Sequence, residues 1–416
     1  MDKFFINGQN RLVGEVKMDC AKNALLPILA GSIMVEGEVL LKNVPLYKDV
    51  LAMIEILKNL GAKIIWQGKN LFIDSTNIHK CEISHELASP VRSSIFTLGP
   101  ILARIGKAKV AYPGGCNIGL RPIDLHLQGL RDLGCKINEK NGYIYGQKEK
   151  RIKHDISLKF PSVGATENIM MFATLFDGET RIYNPAKEPE IVDLAKFLNK
   201  CGAKIKGAGS DLIVINGVKK LHGVNYKVIY DRIECGTFLI AGAMNGGELV
   251  LKNCDFTHNL VLIEKLRSCG CKIYCEKGKI NIIAPKKLKS FGEIETEVYP
   301  GFPTDLQSQM VTLATISKGR SLIFENLFES RFNYVAELLK MGCDIKFKSS
   351  VCVVNGKDNL YGADVSATDL RGGASLVLAG LVAEGYTTIS NVNLIERGYF
   401  DFDKKLKKLG ADIKKI

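Results

Sequence analysis

Leu60-Gly61-Ala62-Lys63-Ile64 decides the fold, because the same phrase returns five more times. It reads Leu133-Gly134-Cys135-Lys136-Ile137, Cys201-Gly202-Ala203-Lys204-Ile205, Cys269-Gly270-Cys271-Lys272-Ile273, Met341-Gly342-Cys343-Asp344-Ile345 and Leu409-Gly410-Ala411-Asp412-Ile413. Successive glycines stand 73, 68, 68, 72 and 68 residues apart, so six units of about 70 residues account for the whole 416-residue chain. Each unit follows one grammar. A small-residue helix, apolar nearly all round (237–244 in the fourth unit), leads into a glycine and a strand such as 248–253. An amphipathic helix follows, 50–60 in the first unit, and ends on the repeat glycine, a natural left-handed terminus. A hairpin closes the unit: 62–66, a turn at Gln67-Gly68-Lys69-Asn70, then 71–73. A helix that is apolar on every side is buried inside a layer, so the pattern predicts an α/β architecture with helices on the inside.

The repeat also accounts for five of the twelve thiols. Cys135, Cys271 and Cys343 fill the slot of Ala62, Ala203 and Ala411, while Cys201 and Cys269 fill that of Leu60 and Leu409. These five are small core residues, and no Cys-x-x-Cys stands near paired histidines to suggest zinc. Cys116 has no such slot. It lies in Pro113-Gly114-Gly115-Cys116-Asn117-Ile118-Gly119-Leu120-Arg121-Pro122, a loop without apolar period, and a cation beside a thiol lowers its pKa.

Bulk composition narrows the class. Hydrophobic residues make up 46% and charged residues 24%, a globular balance. Apolar runs fall short of the roughly 20 residues that span a bilayer, and the opening Met1-Asp2-Lys3-Phe4-Phe5 lacks a secretory pattern, so a cytoplasmic protein without membrane insertion is expected. The net charge of +13 permits nucleic-acid binding or the steering of small polyanions. Scattered lysines and a single Trp favour the small anion.

Polar groups gather just before each buried helix: Lys22-Asn23, Ser89-Pro90-Val91-Arg92-Ser93, Ser162-Val163-Gly164-Ala165-Thr166, Asp231-Arg232-Ile233-Glu234, Thr304-Asp305 and Thr368-Asp369-Leu370-Arg371. Helix starts offer free N–H groups to phosphates and carboxylates. Ser, Thr and Asp there serve as caps, but Lys22, Arg92 and Arg371 oppose the helix dipole and so point to a ligand. The strand-leading glycine stands 24, 24 and 23 residues before the repeat glycine in units one, three and four, but 28 before it in unit two. That added length falls at the Cys116 loop; at the matching place units five and six carry Arg331 and Arg397. The set is a polyanion site with one thiol and one carboxylate.

Lys22-Asn23, the Pro-Gly-Gly-Cys loop with Arg121-Pro122, Ser162 to Thr166, Phe302-Pro303-Thr304-Asp305 and Thr368-Asp369-Leu370-Arg371 resemble the UDP-N-acetylglucosamine (UDP-GlcNAc) enolpyruvyl transferases, a branch of the EPSP synthase family, over the entire chain. The resemblance implies a two-domain inside-out α/β barrel with a cleft between the domains. One domain would run over 21–229 and carry the Cys116 loop. The other would join 1–20 to 230–416, the N-terminal strand completing the sixth unit. It implies transfer of the enolpyruvyl group of phosphoenolpyruvate to the 3-hydroxyl of UDP-GlcNAc by addition and elimination, the first committed step of peptidoglycan synthesis and so of cell-wall biogenesis. No cofactor, metal or nucleic-acid partner is implied, and a monomer is expected.

By the same resemblance Cys116 is the general acid and Asp305 handles the hydroxyl proton, with Lys22 and Arg397 completing the catalytic set. Lys22, Arg121 and Arg397 would clamp phosphoenolpyruvate, with Arg92, Arg331 and Arg371 alongside. Asn23 and Asp305 would contact the sugar. Ser162, Val163 and Gly164, with Arg121, Pro122, Ile123, Asp124 and Leu125, would hold the uridine diphosphate, and Leu327 and Asp369 join the binding set. Inactivation by fosfomycin through Cys116 is expected, and Gly114, Gly115 and Gly119 would let the loop act as a lid. Two departures stand out: Cys20 replaces an expected glycine, and Gly372-Gly373 is looser than the family's small residues. Two other readings are open. A shikimate-type enolpyruvyl transferase would lack the cysteine loop, and a basic nucleic-acid scaffold leaves Cys116 and Asp305 unexplained.

Overall fold

The computed structural model describes residues 2–114, 118–119 and 121–416. All six repeat glycines, at positions 61, 134, 202, 270, 342 and 410, take positive φ, between 84° and 120°. That conformation costs a residue with a Cβ roughly 1–2 kcal/mol, which is why the slot recurs as glycine. The helix before Gly61 spans Lys48–Leu60 and so begins two residues ahead of the expected start. The two added residues place Asp49 in the first turn, where the helix dipole favours a carboxylate.

Each unit ends in the same four-stranded sheet, giving six sheets in all. In the first, Val35–Leu41 pairs antiparallel with Asn70–Asp74, which pairs antiparallel with Lys63–Gln67. On its other side Val35–Leu41 runs parallel to Leu221–Tyr226, a strand from the end of the third unit. The fourth unit borrows in the same way, with Glu248–Cys254 parallel to Val13–Lys17. In the sixth, Phe4–Asn7 lies between Tyr386–Ser390 and Asp412–Lys415, pairing Phe4 with Ile389 and Ile6 with Ile413.

The chain divides into two compact units. The first holds residues 20–114 and 121–229; the second holds residues 2–19 and 230–416 together with Ile118 and Gly119. Within each, the small-residue helices are innermost. Val163–Thr174 is buried from Ala165 onward, Arg232–Met244 from Ile233 onward and Leu370–Val382 from Leu370 to Leu381. The Leu98–Ile105 helix packs on Val163–Thr174 in the first unit, and Gln307–Thr315 packs on Leu370–Val382 in the second. A helix buried on all sides leaves only its ends for chemistry, and the polar groups of the sequence sit at those ends.

Cys135, Cys201, Cys269, Cys271 and Cys343 are buried as the repeat requires. Burial pushes the thiols of Cys135, Cys201, Cys271 and Cys343 up to about 12 and that of Cys269 to about 11, which leaves them unreactive. Gly372 and Gly373 are not loose. A methyl on Gly372 would stand 2.6 Å from Asp369 Oδ2 and 2.8 Å from Tyr334 Cβ, and one on Gly373 would stand 2.6 Å from Ile395 Cγ1. Close packing against these groups, and not slack, selects glycine there. Cys20 is buried with its Sγ 3.7 Å from the Asn43 carbonyl.

Candidate active site

The first unit collects cations and N–H groups. Lys22 opens the Lys22–Gly31 helix, whose Ala21 N-cap offers no side-chain bond, and its Nζ lies 3.1 Å from Asp49 Oδ2. Both side chains are largely withdrawn from solvent, so the cation at a helix start, which the sequence assigned to a ligand, also has a partner of its own. Asn23 follows on the same helix, half-buried. Arg92 is the first residue of the 3₁₀ segment Arg92–Thr97. Arg121 and Pro122 are exposed, Ile123 is buried, and Asp124 and Leu125 form the first turn of the Asp124–Leu133 helix. Ser162 caps Val163–Thr174 by accepting from the Ala165 N–H at 3.4 Å, and Val163 and Gly164 occupy its first turn. The first N–H groups of a helix have no intrahelical acceptor, so this turn presents donors.

His126, which the sequence reading passed over, joins these pieces. It is 7% exposed, and its pKa is pulled down to about 3, by burial first and then by the positive charges of Arg92 and Arg121. The imidazole is therefore neutral, with both arginines close enough to act on it.

The second unit builds a different group. Asp305, in the 3₁₀ turn Thr304–Leu306, receives Arg331 on Oδ1 at 2.8 Å and Arg371 on Oδ2 at 2.9 Å. Both arginine side chains are only 4% exposed against 26% for the aspartate. Arg371 lies over the Tyr399 ring at 5.3 Å and Arg331 over Phe328 at 5.6 Å. Burial works against the charge of Arg371, but the Asp305 carboxylate outweighs it and the guanidinium's pKa rises. Its second terminal nitrogen is buried with no partner among the described residues. Asp369 caps the Leu370–Val382 helix, accepting from Arg371 N–H at 2.9 Å and Gly372 N–H at 3.0 Å, which fixes the backbone from which Arg371 projects. Leu327 is set by Glu325, a buried acid that accepts from the Leu327 and Phe328 N–H groups and from the hydroxyls of Thr296 and Thr304. Arg397 is half-buried, two residues beyond the Val392–Ile395 helix.

The structure thus brings Asp305, Arg331, Arg371 and Asp369 together, and Arg92 and Arg121 around His126. Cys116, Gly115, Asn117 and Leu120 lie outside the described residues, and with them the acid and lid readings. Of the lid glycines, Gly114 is held close: its N–H donates to the Ala88 carbonyl at 3.2 Å, and a Cβ would stand 1.8 Å from Ser89 O. Gly119 has φ 123°. Asp49, His126 and Glu325 were missed although each is an ionisable residue among apolar neighbours, which is the signal that could have found them.

A repeat fold with fixed cations at buried helix ends is suited to holding small anions. The model of the EPSP synthase (3-phosphoshikimate 1-carboxyvinyltransferase) family matches residues 6–406. The UDP-N-acetylglucosamine 1-carboxyvinyltransferase 2 of Caldanaerobacter subterraneus subsp. tengcongensis is 49% identical over 416 residues, all of both chains. That of Finegoldia magna is 47% identical over 409 residues, 97% of this chain and 96% of its own. Among solved structures, the enolpyruvyl transferase NikO of Streptomyces tendae superposes with a TM-score of 0.89 at 24% identity, covering 100% of this chain and 98% of its own. EPSP synthase of Acinetobacter baumannii does so at 0.76 and 18%, covering all of both. The chain belongs to the EPSP synthase family of enolpyruvyl transferases. No helix among the described residues is long and apolar enough to cross a membrane, and no three of their His, Cys, Asp or Glu side chains gather as a metal site.

Proposed function

We propose that the protein transfers the enolpyruvyl group of phosphoenolpyruvate to the 3-hydroxyl of UDP-GlcNAc and releases inorganic phosphate. The observation that carries this is identity of 47–49% over essentially the full chain to proteins named for that reaction, whereas likeness to EPSP synthases at 18% speaks only for the fold. On this reading the enzyme acts in the cytoplasm as a monomer, and its product begins the peptidoglycan pathway.

The chemistry assigns the groups. The sugar oxygen adds to C2 of phosphoenolpyruvate as the Cys116 thiol gives a proton to C3, and the hydroxyl proton passes to Asp305. A tetrahedral ketal phosphate results. Loss of a proton from C3 and of phosphate from C2 restores the double bond, now on the sugar ether. Arg331 and Arg371 each hold one Asp305 oxygen, which fixes the carboxylate in the place where it would meet the hydroxyl. Lys22, Arg92, Arg121 and Arg397 meet the phosphate, carboxylate and diphosphate charges, as fixed cations that need no reorganisation. Cys116 lies outside the repeat slots that hold Cys135, Cys201, Cys269, Cys271 and Cys343, which fits a proton donor and fits alkylation by fosfomycin, readable by intact mass.

Phosphate release from phosphoenolpyruvate tests the reading. Release should require UDP-GlcNAc and should not appear with shikimate 3-phosphate. Release with shikimate 3-phosphate, or without either acceptor, contradicts it.

A further inference from the structure

His126 is more than a buried ring. Asn168, fully buried on the Val163–Thr174 helix, has its amide orientation fixed by two backbone groups: its Oδ1 accepts from the Gly99 N–H at 2.8 Å, and its Nδ2 donates to the Ile95 carbonyl at 2.9 Å. The same Nδ2 lies 2.8 Å from His126 Nδ1, so Nδ1 must accept. A neutral imidazole has one N–H, and it must then sit on Nε2. That Nε2 edge faces the first turn of the Val163 helix. A methyl on Gly164 would stand 2.8 Å from His126 Cε1 and 3.0 Å from Nε2, so glycine at 164 is what admits the ring. Among the described residues nothing accepts from Nε2. The other groups around the ring are Phe96, whose Cε1 also lies 3.0 Å from that methyl position, and the charges of Arg92 and Arg121.

A donor with no protein acceptor, on a ring that feels the charges of Arg92 and Arg121 and lies beside helix N–H groups, suits an anion with several oxygens. An imidazolium would be repelled by the arginines, whereas a neutral N–H adds a bond without adding charge. We propose that His126 is a specificity-determining Nε2–H donor to the diphosphate of the nucleotide substrate, locked in that tautomer by Asn168. This rests on the functional reading above and adds to it a residue and a proton position.

Titration calorimetry of the full-length protein with UDP and with uridine tests it, using His126→Leu and His126→Gln. His126→Leu should weaken UDP about tenfold or more, as loss of a hydrogen bond to a charged group does. Uridine should change by less than about twofold, and His126→Gln, which keeps an N–H, should recover part of the loss. Nitrogen-15 spectra of the wild-type histidines should show a neutral, Nε2-protonated ring at about pH 6. Equal loss for UDP and uridine, no loss for either, or an Nδ1-protonated or charged ring overturns the proposal alone. Wild-type protein that binds neither UDP nor UDP-GlcNAc overturns the functional reading and the proposal with it.

Discussion

The Arg92–Arg121–His126 cluster of the first unit and the Arg331–Asp305–Arg371 cluster of the second both set two arginines near helix starts, yet they are electrically opposite. Around His126 the buried group is neutral, pulled there by desolvation and the two arginines. Around Asp305 the two guanidiniums already meet a carboxylate, one on each oxygen. In the first cluster the group on which the two arginines act is neutral, and on the proposal above a substrate anion meets its N–H. The second carries its own carboxylate, held in one place between two guanidiniums. On that proposal the same repeat position serves binding in one unit and positioning in the other.

The largest expected effect comes from unbalancing the second cluster. Asp305→Ala leaves two buried guanidiniums without their carboxylate and should cost about 3–5 kcal/mol in urea unfolding. Turnover should fall at least about a hundredfold with it. An Asp305→Ala protein as stable as wild type would remove the distinction between the clusters.

Acid sharpens the comparison from the other side. His126 sits at about 3 folded against 6.5 unfolded, by burial and then by Arg92 and Arg121. Between those values the unfolded chain binds a proton that the folded chain refuses. Its contribution to stability is full above about pH 6.5 and drains by about 1.4 kcal/mol per pH unit as pH falls toward 3. Asp193 and Glu234, raised by burial to about 6 and about 7, run the other way and lose their contribution as pH rises. Comparing His126→Leu with wild type at each pH cancels those two. Between about pH 7 and pH 4 the wild type should lose stability relative to the variant, and parallel curves would show that His126 titrates alike in the folded and unfolded chain.

The smallest effect is structural. Gly134→Ala, beneath the helix that carries His126, meets both positive φ and the Lys150 carbonyl at 2.2 Å, whereas Gly270→Ala meets its nearest atom only at 3.5 Å. Gly270→Ala should cost about 1–2 kcal/mol in thermal unfolding, and Gly134→Ala more. Equal losses would mean that the φ preference alone governs the slot.

Legibility followed locality. The repeat glycines, the buried thiols and the polar helix starts are written in neighbouring residues, so the strands, turns and candidate cations could be read directly. What escaped depends on distant partners. Nothing near Val13 or Leu221 marks them as parallel edge strands of sheets more than a hundred residues away. Lys22 reads as a bare cation until Asp49 folds against it. His126 reads as one more residue on a helix until Asn168, 42 residues on, fixes its proton. Gly372 and Gly373 looked slack because the atoms that crowd them belong in part to Tyr334 and Ile395.

The central claim is enolpyruvyl transfer to UDP-GlcNAc through a protonated C3, and running the reaction in deuterium oxide tests it most directly. Addition and elimination pass through a methyl group at C3, so the vinyl ether product should carry deuterium on its methylene carbon, with the new ether at the sugar 3-oxygen by NMR. A product free of deuterium, or no product from phosphoenolpyruvate and UDP-GlcNAc, would contradict the account.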